Sequence, residues 1–360
     1  MGPGWQHFIN LHLKIHLMTL ELHHLIIHEL EKEADSADAS VFLTDAVIPA
    51  GEKAELLLDK LNRTLAQKED VLSGYLSSPE DALFPGYFQH LLDEGLGQKA
   101  FVTFSRETMN ALQLALQGVV GAKGGYLVYA DYSEFDQRML GIFLVRDTEG
   151  IVFRKDEAGG AFELNTITYL NTDKLAMACR IRVDRYDGGQ GRCVELIKHA
   201  KSQKEISDYF IHWVGLERPE SSREMTASFL QMATELPLPE EAGTGQQMDE
   251  SRFREKVLQF AMSSPQKTIN VGHFEKEFYG EAQPVQQYME DNGLALDEEF
   301  RFDRKALREF YNYKVSSEKI YLYFNRGHLK SGQIVVDGDS ITIHSPDLAE
   351  QIMDIIGDNK

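Results

Sequence analysis

Five of the twelve histidines fall in one stretch, "HLKIHLMTLELHHLIIHEL" (residues 12–30): His12, His16, His23, His24 and His28, with Glu21 and Glu29 among them. Imidazole and carboxylate are zinc ligands. The pairs His12/His16 and His24/His28 have the i, i+4 spacing that places both rings on one face of a helix. In a strand the same spacing separates them by about 13 Å, too far for one ion. A metal reading therefore stands or falls with the secondary structure. The HExxH signature is missing, because His28-Glu29 is followed by Leu30-Glu31-Lys32.

Other chemistry is weakly signalled. "GVVGAKGG" (118–125) resembles a phosphate-binding loop, but Gly124 stands where such a loop needs Ser or Thr to hold magnesium. It also follows an apolar helical pattern and precedes a strand pattern, which is the wrong order. A helix end and turn is the better reading. "GGQGRC" (188–193) also reads as a turn. There is no GxSxG, and neither Cys179 nor Cys193 has a local signature pairing it with a base. His199 and His212 lie on a polar helix pattern, where imidazole is usually solvated. Neither an enzyme nor a cofactor is indicated.

The charges are more informative. The chain of 360 residues has 37 basic and 57 acidic side chains, a formal charge of −20, which repels nucleic acid and anionic membrane. Both parts share the excess, with −11 in residues 1–217 and −9 in the remainder. One segment runs against this trend. Lys174, Arg180, Arg182, Arg185, Arg192, Lys198, Lys201 and Lys204 face only Asp184, Asp187 and Glu195, giving +5 between 174 and 204. If "CRIRVD" is a strand, Arg180 and Arg182 share one side while Cys179, Ile181 and Val183 face inward. Phosphate contact and a solvated outer face are equally good accounts of that pattern.

The elements that would position these groups follow from periodicity. Glu52 to Gln67 is an amphipathic helix carrying Leu56, Leu57, Leu61 and Leu65, and Phe101 to Val119 is another. "YLVYADY", "MLGIFLV", "FELNTITYL" and "MACRIRV" are short β-branched and aromatic runs that predict an antiparallel sheet of four or more strands. Helical spacing returns at Ile206, Tyr209, Phe210 and Trp213. The stretch "ELPLPEEAGTGQQ" has little to bury and reads as a linker. Beyond it, Phe253, Val257 and Phe260 mark a helix, and "PVQQYMEDNGL" marks one ending at Gly293. "KIYLYF" and "QIVVDGDSITIH" are strands, the second run turning across Asp337 and Gly338, and a last helix follows Pro346.

The expected class is α+β. An N-terminal domain (18–234) of helices on a mostly antiparallel sheet precedes a linker (235–247) and a smaller, helical C-terminal domain (248–360) ending in a β-hairpin and helix. No apolar run is long enough to span a bilayer, so no membrane partner is expected. With two cysteines and no secretory signal, the cytoplasm is the expected compartment.

Four stretches in order, "LHHLIIHEL", "GGYLVYADY", "LNTDKLAMACRIRVDRY" and "IKHAKSQKEISDYFIHWVGLE", resemble the NdpA/YejK-type bacterial nucleoid-associated proteins. A weaker likeness runs on through "FYGEAQPVQQYMEDNGLALDEEFRFDRKALREF". The resemblance covers nearly the whole chain from Met18. It implies residues 1–17 as an upstream extension, a first strand through "TLELHHLIIHEL" with His28 at a position where the family carries histidine, and no enzymatic activity or required cofactor. It also implies a location at the nucleoid. Two functions are then in play. One is contact with the backbone of double-stranded DNA, without sequence reading, through Arg180, Arg182, Arg185, Arg192, Lys198, Lys201 and Lys204. The other is an acidic adaptor that reaches the nucleoid by gripping a DNA-processing protein. A homodimer is compatible with either.

Overall fold

The computed structural model describes residues 20–68, 71–155, 162–187, 191–197, 204–241, 245–264 and 267–357. Residues 1–19, and with them His12 and His16, lie outside this set, as do Lys198, Lys201 and the glycines at 188 and 189. The protein is α+β and forms two compact units, Met1–Glu224 and Met225–Lys360.

Among the described residues the first unit has eight strands: β1 (Leu20–Glu31), β2 (Ser40–Phe42), β3 (Val71–Leu76), β4 (Gly125–Glu134), β5 (Gln137–Lys155), β6 (Phe162–Arg182), β7 (Val194–Ile197) and β8 (Leu216–Ser221). They form one antiparallel sheet in the order β2-β1-β4-β5-β6-β7-β3-β8. Alternation along each strand gives the sheet two apolar faces. Leu127 and Tyr129 of β4 join Ile142, Met177, Cys179 and Ile181 under α2 (Leu83–Asp93), α3 (Gln98–Leu116) and α5 (Lys204–Val214). Val128, Ala130 and Tyr132 join Phe143, Val145 and Ala178 under α1 (Glu52–Gln67), which contributes Leu58, Leu61 and Leu65. A short helix, α4 (Val183–Asp187), follows β6.

Two sequence expectations are corrected here. "FELNTITYL" and "MACRIRV" are one strand of 21 residues, because the pairing of β5 with β6 absorbs the polar interval as register shifts near Val145 rather than turning there. Beyond that irregularity Asp147–Lys155 pair with Phe162–Leu170, among the described residues a two-stranded ribbon whose Phe153 and Leu164 are exposed cross-strand partners. The turn of the C-terminal hairpin also lies one residue later than expected. Asp337 pairs with Ser340, so Gly338 (φ 58°) and Asp339 make the loop.

The glycine-rich stretch behaves as a turn. It follows α3, and the N–H groups of Gly118, Gly121 and Gly124 donate to the carbonyls of Ala37, Ala34 and Lys32, stitching the loop to the chain beyond β1. A Cβ on Gly124 would sit 2.0 Å from the Leu30 carbonyl oxygen, so only glycine lets these two backbones meet.

Helix α6 (Ser222–Glu235) opens with a capping box: Glu224 accepts from the Ser221 N–H, and the Ser221 hydroxyl accepts from the Glu224 N–H. The second unit gathers Met225, Phe229 and Met232 of α6 with Phe253 and Val257 of α7 (Glu250–Ser263) and Phe274 of α8 (Val271–Tyr279). In this unit Glu240 is bridged to Gln247. Strands β9 (Thr268–Asn270) and β10 (Glu299–Arg301) pair, and α9 (Pro284–Asn292) ends on left-handed Gly293. After α10 (Arg304–Tyr311) come the hairpin of β11 (Tyr313–Ser317) and β12 (Ile320–Phe324), and then α11 (Arg326–Lys330). A second hairpin, β13 (Ile334–Asp337) and β14 (Ser340–Ile343), leads into α12 (Pro346–Gly357).

Candidate nucleic-acid interface

Three of the histidines, His23, His24 and His28, lie on β1. His24 and His28 stand four apart on a strand, each with its own partners on the α3 side of the sheet. His24 Nδ1 lies 2.8 Å from Asp131 Oδ2, and its ring stacks on Phe101. His28 Nε2 lies 2.9 Å from the Ser105 hydroxyl. Asp131 is buried and also accepts two bonds from Arg138, at 2.6 and 2.7 Å. Imidazole and guanidinium thus share one buried carboxylate across β1, β4 and β5. His23 bonds the Ser133 hydroxyl at 2.8 Å, and burial together with the nearby Arg138 lowers its pKa.

The basic segment begins at the same end of the sheet, on the α1 side. Cys179 and Ile181 are buried toward α3, so Arg180 and Arg182 share the other face, as strand alternation requires. That face is closed to solvent. The side chains of Arg180 and Arg182 are only 13% and 9% exposed. Arg180 is the cross-strand partner of Glu195 on β7. Its Nη2 and Nε donate to Glu195 Oε2 at 2.6 and 3.1 Å, and its Nη1 to Glu134 Oε2 at 3.4 Å. Arg182 reaches the other Glu195 oxygen at 3.5 Å. Burial alone would lower the Arg180 pKa, but Glu195, Tyr132 and Glu134 outweigh it and hold the guanidinium charged. The Tyr132 phenol, fully buried in this group and donating to Asn62 at 2.9 Å, is pushed up to about 12.

The other candidates divide. Arg192 is buried, pairs with Glu220 of β8 at 2.8 Å and lies over the Tyr75 ring of β3. Arg185, on α4, is half-buried and donates to the Arg192 carbonyl at 3.5 Å. Lys204 opens α5, while Lys198 and Lys201 lie outside the described residues. The structure therefore brings Arg180, Arg182 and Arg192 together with carboxylates of β4, β7 and β8. Glu134 and Glu220 as their partners were invisible in the sequence, since they lie 46 and 28 positions away from Arg180 and Arg192 and become neighbours only through strand order. Glu195 was visible only as one of three acids diluting a basic run.

Comparison with known proteins adds a second line. The family model NA37, described as nucleoid-associated protein YejK, matches residues 26–351. A nucleoid-associated protein of Pseudomonas entomophila (strain L48) is 23% identical over 93% of this chain and 98% of its own length. One of Pseudomonas paraeruginosa (strain DSM 24068 / PA7) is 24% identical, covering 93% and 96%. Another, of Pseudomonas aeruginosa (strain UCBPP-PA14), is 23% identical, covering 93% and 97%.

Proposed function

The chain belongs to the family of YejK-type nucleoid-associated proteins, and from that footing we propose that it resides at the nucleoid and touches DNA phosphates without reading sequence or catalysing a reaction. The observation that carries this reading is the +5 segment between Lys174 and Lys204 in a chain of −20. A local basic run is what lets an acidic protein approach a polyanion. Within the proposal the seven cations take two roles. Arg180, Arg182 and Arg192 tie β6 and β7 to the carboxylates around them. Arg185, Lys198, Lys201 and Lys204 meet the phosphates.

A specific observation favours a second reading. The buried arginines are neutralised by Glu195, Glu134 and Glu220, which leaves less free positive charge than the sequence count suggests. A surface of that balance suits a basic DNA-processing protein as partner. Titration of a labelled duplex at several salt concentrations tests the first reading. Log affinity should fall with log salt by about 0.9 per phosphate neutralised, and Lys201→Gln and Lys204→Gln should each reduce the slope by about 1. If saturable binding is absent at low salt, and a protein partner survives nuclease treatment in affinity capture, direct contact is wrong and the adaptor reading stands.

A further inference from the structure

The hairpin of β11 and β12 has two unlike faces. Cross-strand pairing puts Tyr313, Val315, Leu322 and Phe324 on one side and Lys314, Ser316, Tyr321 and Tyr323 on the other. The first side is anchored within its own unit. Arg254 of α7 lies over the Phe310 and Tyr313 rings, at 4.8 and 5.7 Å, and donates to the Phe310 carbonyl at 2.9 Å, while Tyr313 packs on Phe324. The second side faces solvent, with Tyr321 65% and Tyr323 57% exposed. Lys314 holds its ammonium 5.7 Å from the centre of the Tyr323 ring and 5.8 Å from that of Tyr321. A cation and two phenol rings are thus set side by side on an open surface.

The charge around this face is as uneven as that of residues 174–204. From α10 through α11, Arg304, Lys305, Arg308, Lys314, Lys319, Arg326 and Lys330 stand against Glu309 and Glu318, which is +5 in a chain of −20. The two segments differ in what their cations meet. Arg180, Arg182 and Arg192 are paired with Glu195, Glu134 and Glu220. Lys314, Lys319 and Lys330 are exposed and, among the described residues, have no carboxylate partner. We propose that this face of β11 and β12 binds single-stranded DNA, with bases stacked on Tyr321 and Tyr323 and the backbone held by Lys314 and its basic neighbours. Charge complementarity selects a polyanion. The exposed phenols then select an unpaired strand, because stacking on an aromatic ring needs a free base face, which a duplex hides between neighbouring pairs. Spacing agrees with this choice. Two residues along a strand put the tyrosines about 7 Å apart, roughly twice the 3.4 Å rise per nucleotide in a duplex strand, so a stretched single strand sets successive bases on successive rings. Every base has a π-face, so the site tolerates any sequence. Membership of a nucleoid-associated family makes DNA the polyanion at hand. The tyrosines lie in the second unit and residues 174–204 in the first, so this site goes beyond the duplex contact proposed above and is tested separately from it.

Fluorescence anisotropy of a labelled oligodeoxythymidylate titrated with the full chain is the experiment. Saturable binding is expected, and Tyr321→Ala and Tyr323→Ala should each weaken it about tenfold. Tyr321→Phe combined with Tyr323→Phe keeps both rings and should retain the affinity. Lys314→Gln should flatten the dependence of log affinity on log salt by about 0.7, the single-strand value per phosphate. Lys201→Gln combined with Lys204→Gln should leave oligothymidylate binding near that of the parent, so failure here is distinguishable from failure of the duplex contact. As a check that needs no substitution, photocross-linking to a strand carrying an iodinated uracil should place the adduct on Tyr321 or Tyr323 by mass spectrometry. Absence of saturable binding at low salt, alanine variants that bind like the parent, or equal losses in the alanine and phenylalanine variants would overturn the proposal. Tighter capture of oligouridylate, or of phosphatidylglycerol vesicles, through the same two rings would overturn it in favour of RNA or of an anionic lipid surface.

Discussion

Arg180→Ala should destabilise the first unit by about 3–5 kcal/mol, the usual cost of breaking a buried ion pair from one side. The loss is large because of what remains. Glu195 is 8% exposed and would lose its 2.6 Å contact with Arg180, keeping the longer one to Arg182 at 3.5 Å. Glu134 would lose its Arg180 partner as well. Removing one end of a buried pair costs more than the pair contributes, so the remedy is to remove both ends. Arg180→Met with Glu195→Met should recover much of the stability. Arg180→Lys should fall between, since a lysine cannot reproduce the forked contact with Glu195. Urea unfolding midpoints of the three variants check the order. In the same preparations the salt slope of DNA binding should not change for Arg180→Lys, because the charge at 180 is already offset by carboxylates. If Arg180→Ala proves as stable as the parent and instead flattens the salt slope, the residue is a phosphate ligand and the structural assignment is wrong.

How much of this could be read from the chain depends on the range of the interaction. Helix α1 was legible to its ends, Glu52 and Gln67, because its apolar spacing and its boundaries are local. Gly293 as a helix terminator was legible for the same reason, since its left-handed conformation is a property of one residue. The length of β6 was not. A run interrupted by Asn171, Thr172 and Asp173 looks like two strands, and only the pairing with β5 shows that the backbone stays extended across them. The shared side of Arg180 and Arg182 followed from alternation, yet what lies on that side did not. Alternation separates one face from the other without saying which is wet. Here both faces of the sheet are covered, and the polar one near β7 is filled by carboxylates from strands that are distant in sequence. A count of basic residues therefore overstated the positive charge left to meet a ligand.

Lowering the pH from 6.5 to 4 should cost the fold about 3 kcal/mol through His28 alone, at 1.36 kcal/mol per unit of pKa difference. Burial lowers the pKa of this imidazole to about 4, with the Arg106 guanidinium adding to the effect and Asp45 opposing it. The hydrogen bonds explain why the neutral ring is required. Nδ1 accepts from the Thr44 N–H at 3.1 Å, so the ring proton sits on Nε2 and is donated to the Ser105 hydroxyl, which in turn donates to the Val102 carbonyl. A second proton on Nδ1 would oppose the Thr44 N–H, with only a long 3.4 Å reach to the Thr44 hydroxyl, which already donates to the Ile27 carbonyl. The sign follows from which state binds the proton. Above pH 6.5 the ring is neutral both folded and unfolded, and it contributes no pH dependence. Between 6.5 and about 4 the unfolded chain takes up a proton that the folded one refuses, so stability falls with pH. Below about 4 both states are protonated and the loss levels off. His28→Gln removes the titration while retaining a side chain able to donate and accept, so the difference between its urea midpoints and those of the parent isolates the histidine. The two curves should run parallel above pH 6.5 and diverge below it. Parallel curves down to pH 4, or a His28 ring resonance that titrates near 6.5 by NMR, would show that the buried site admits the charged form.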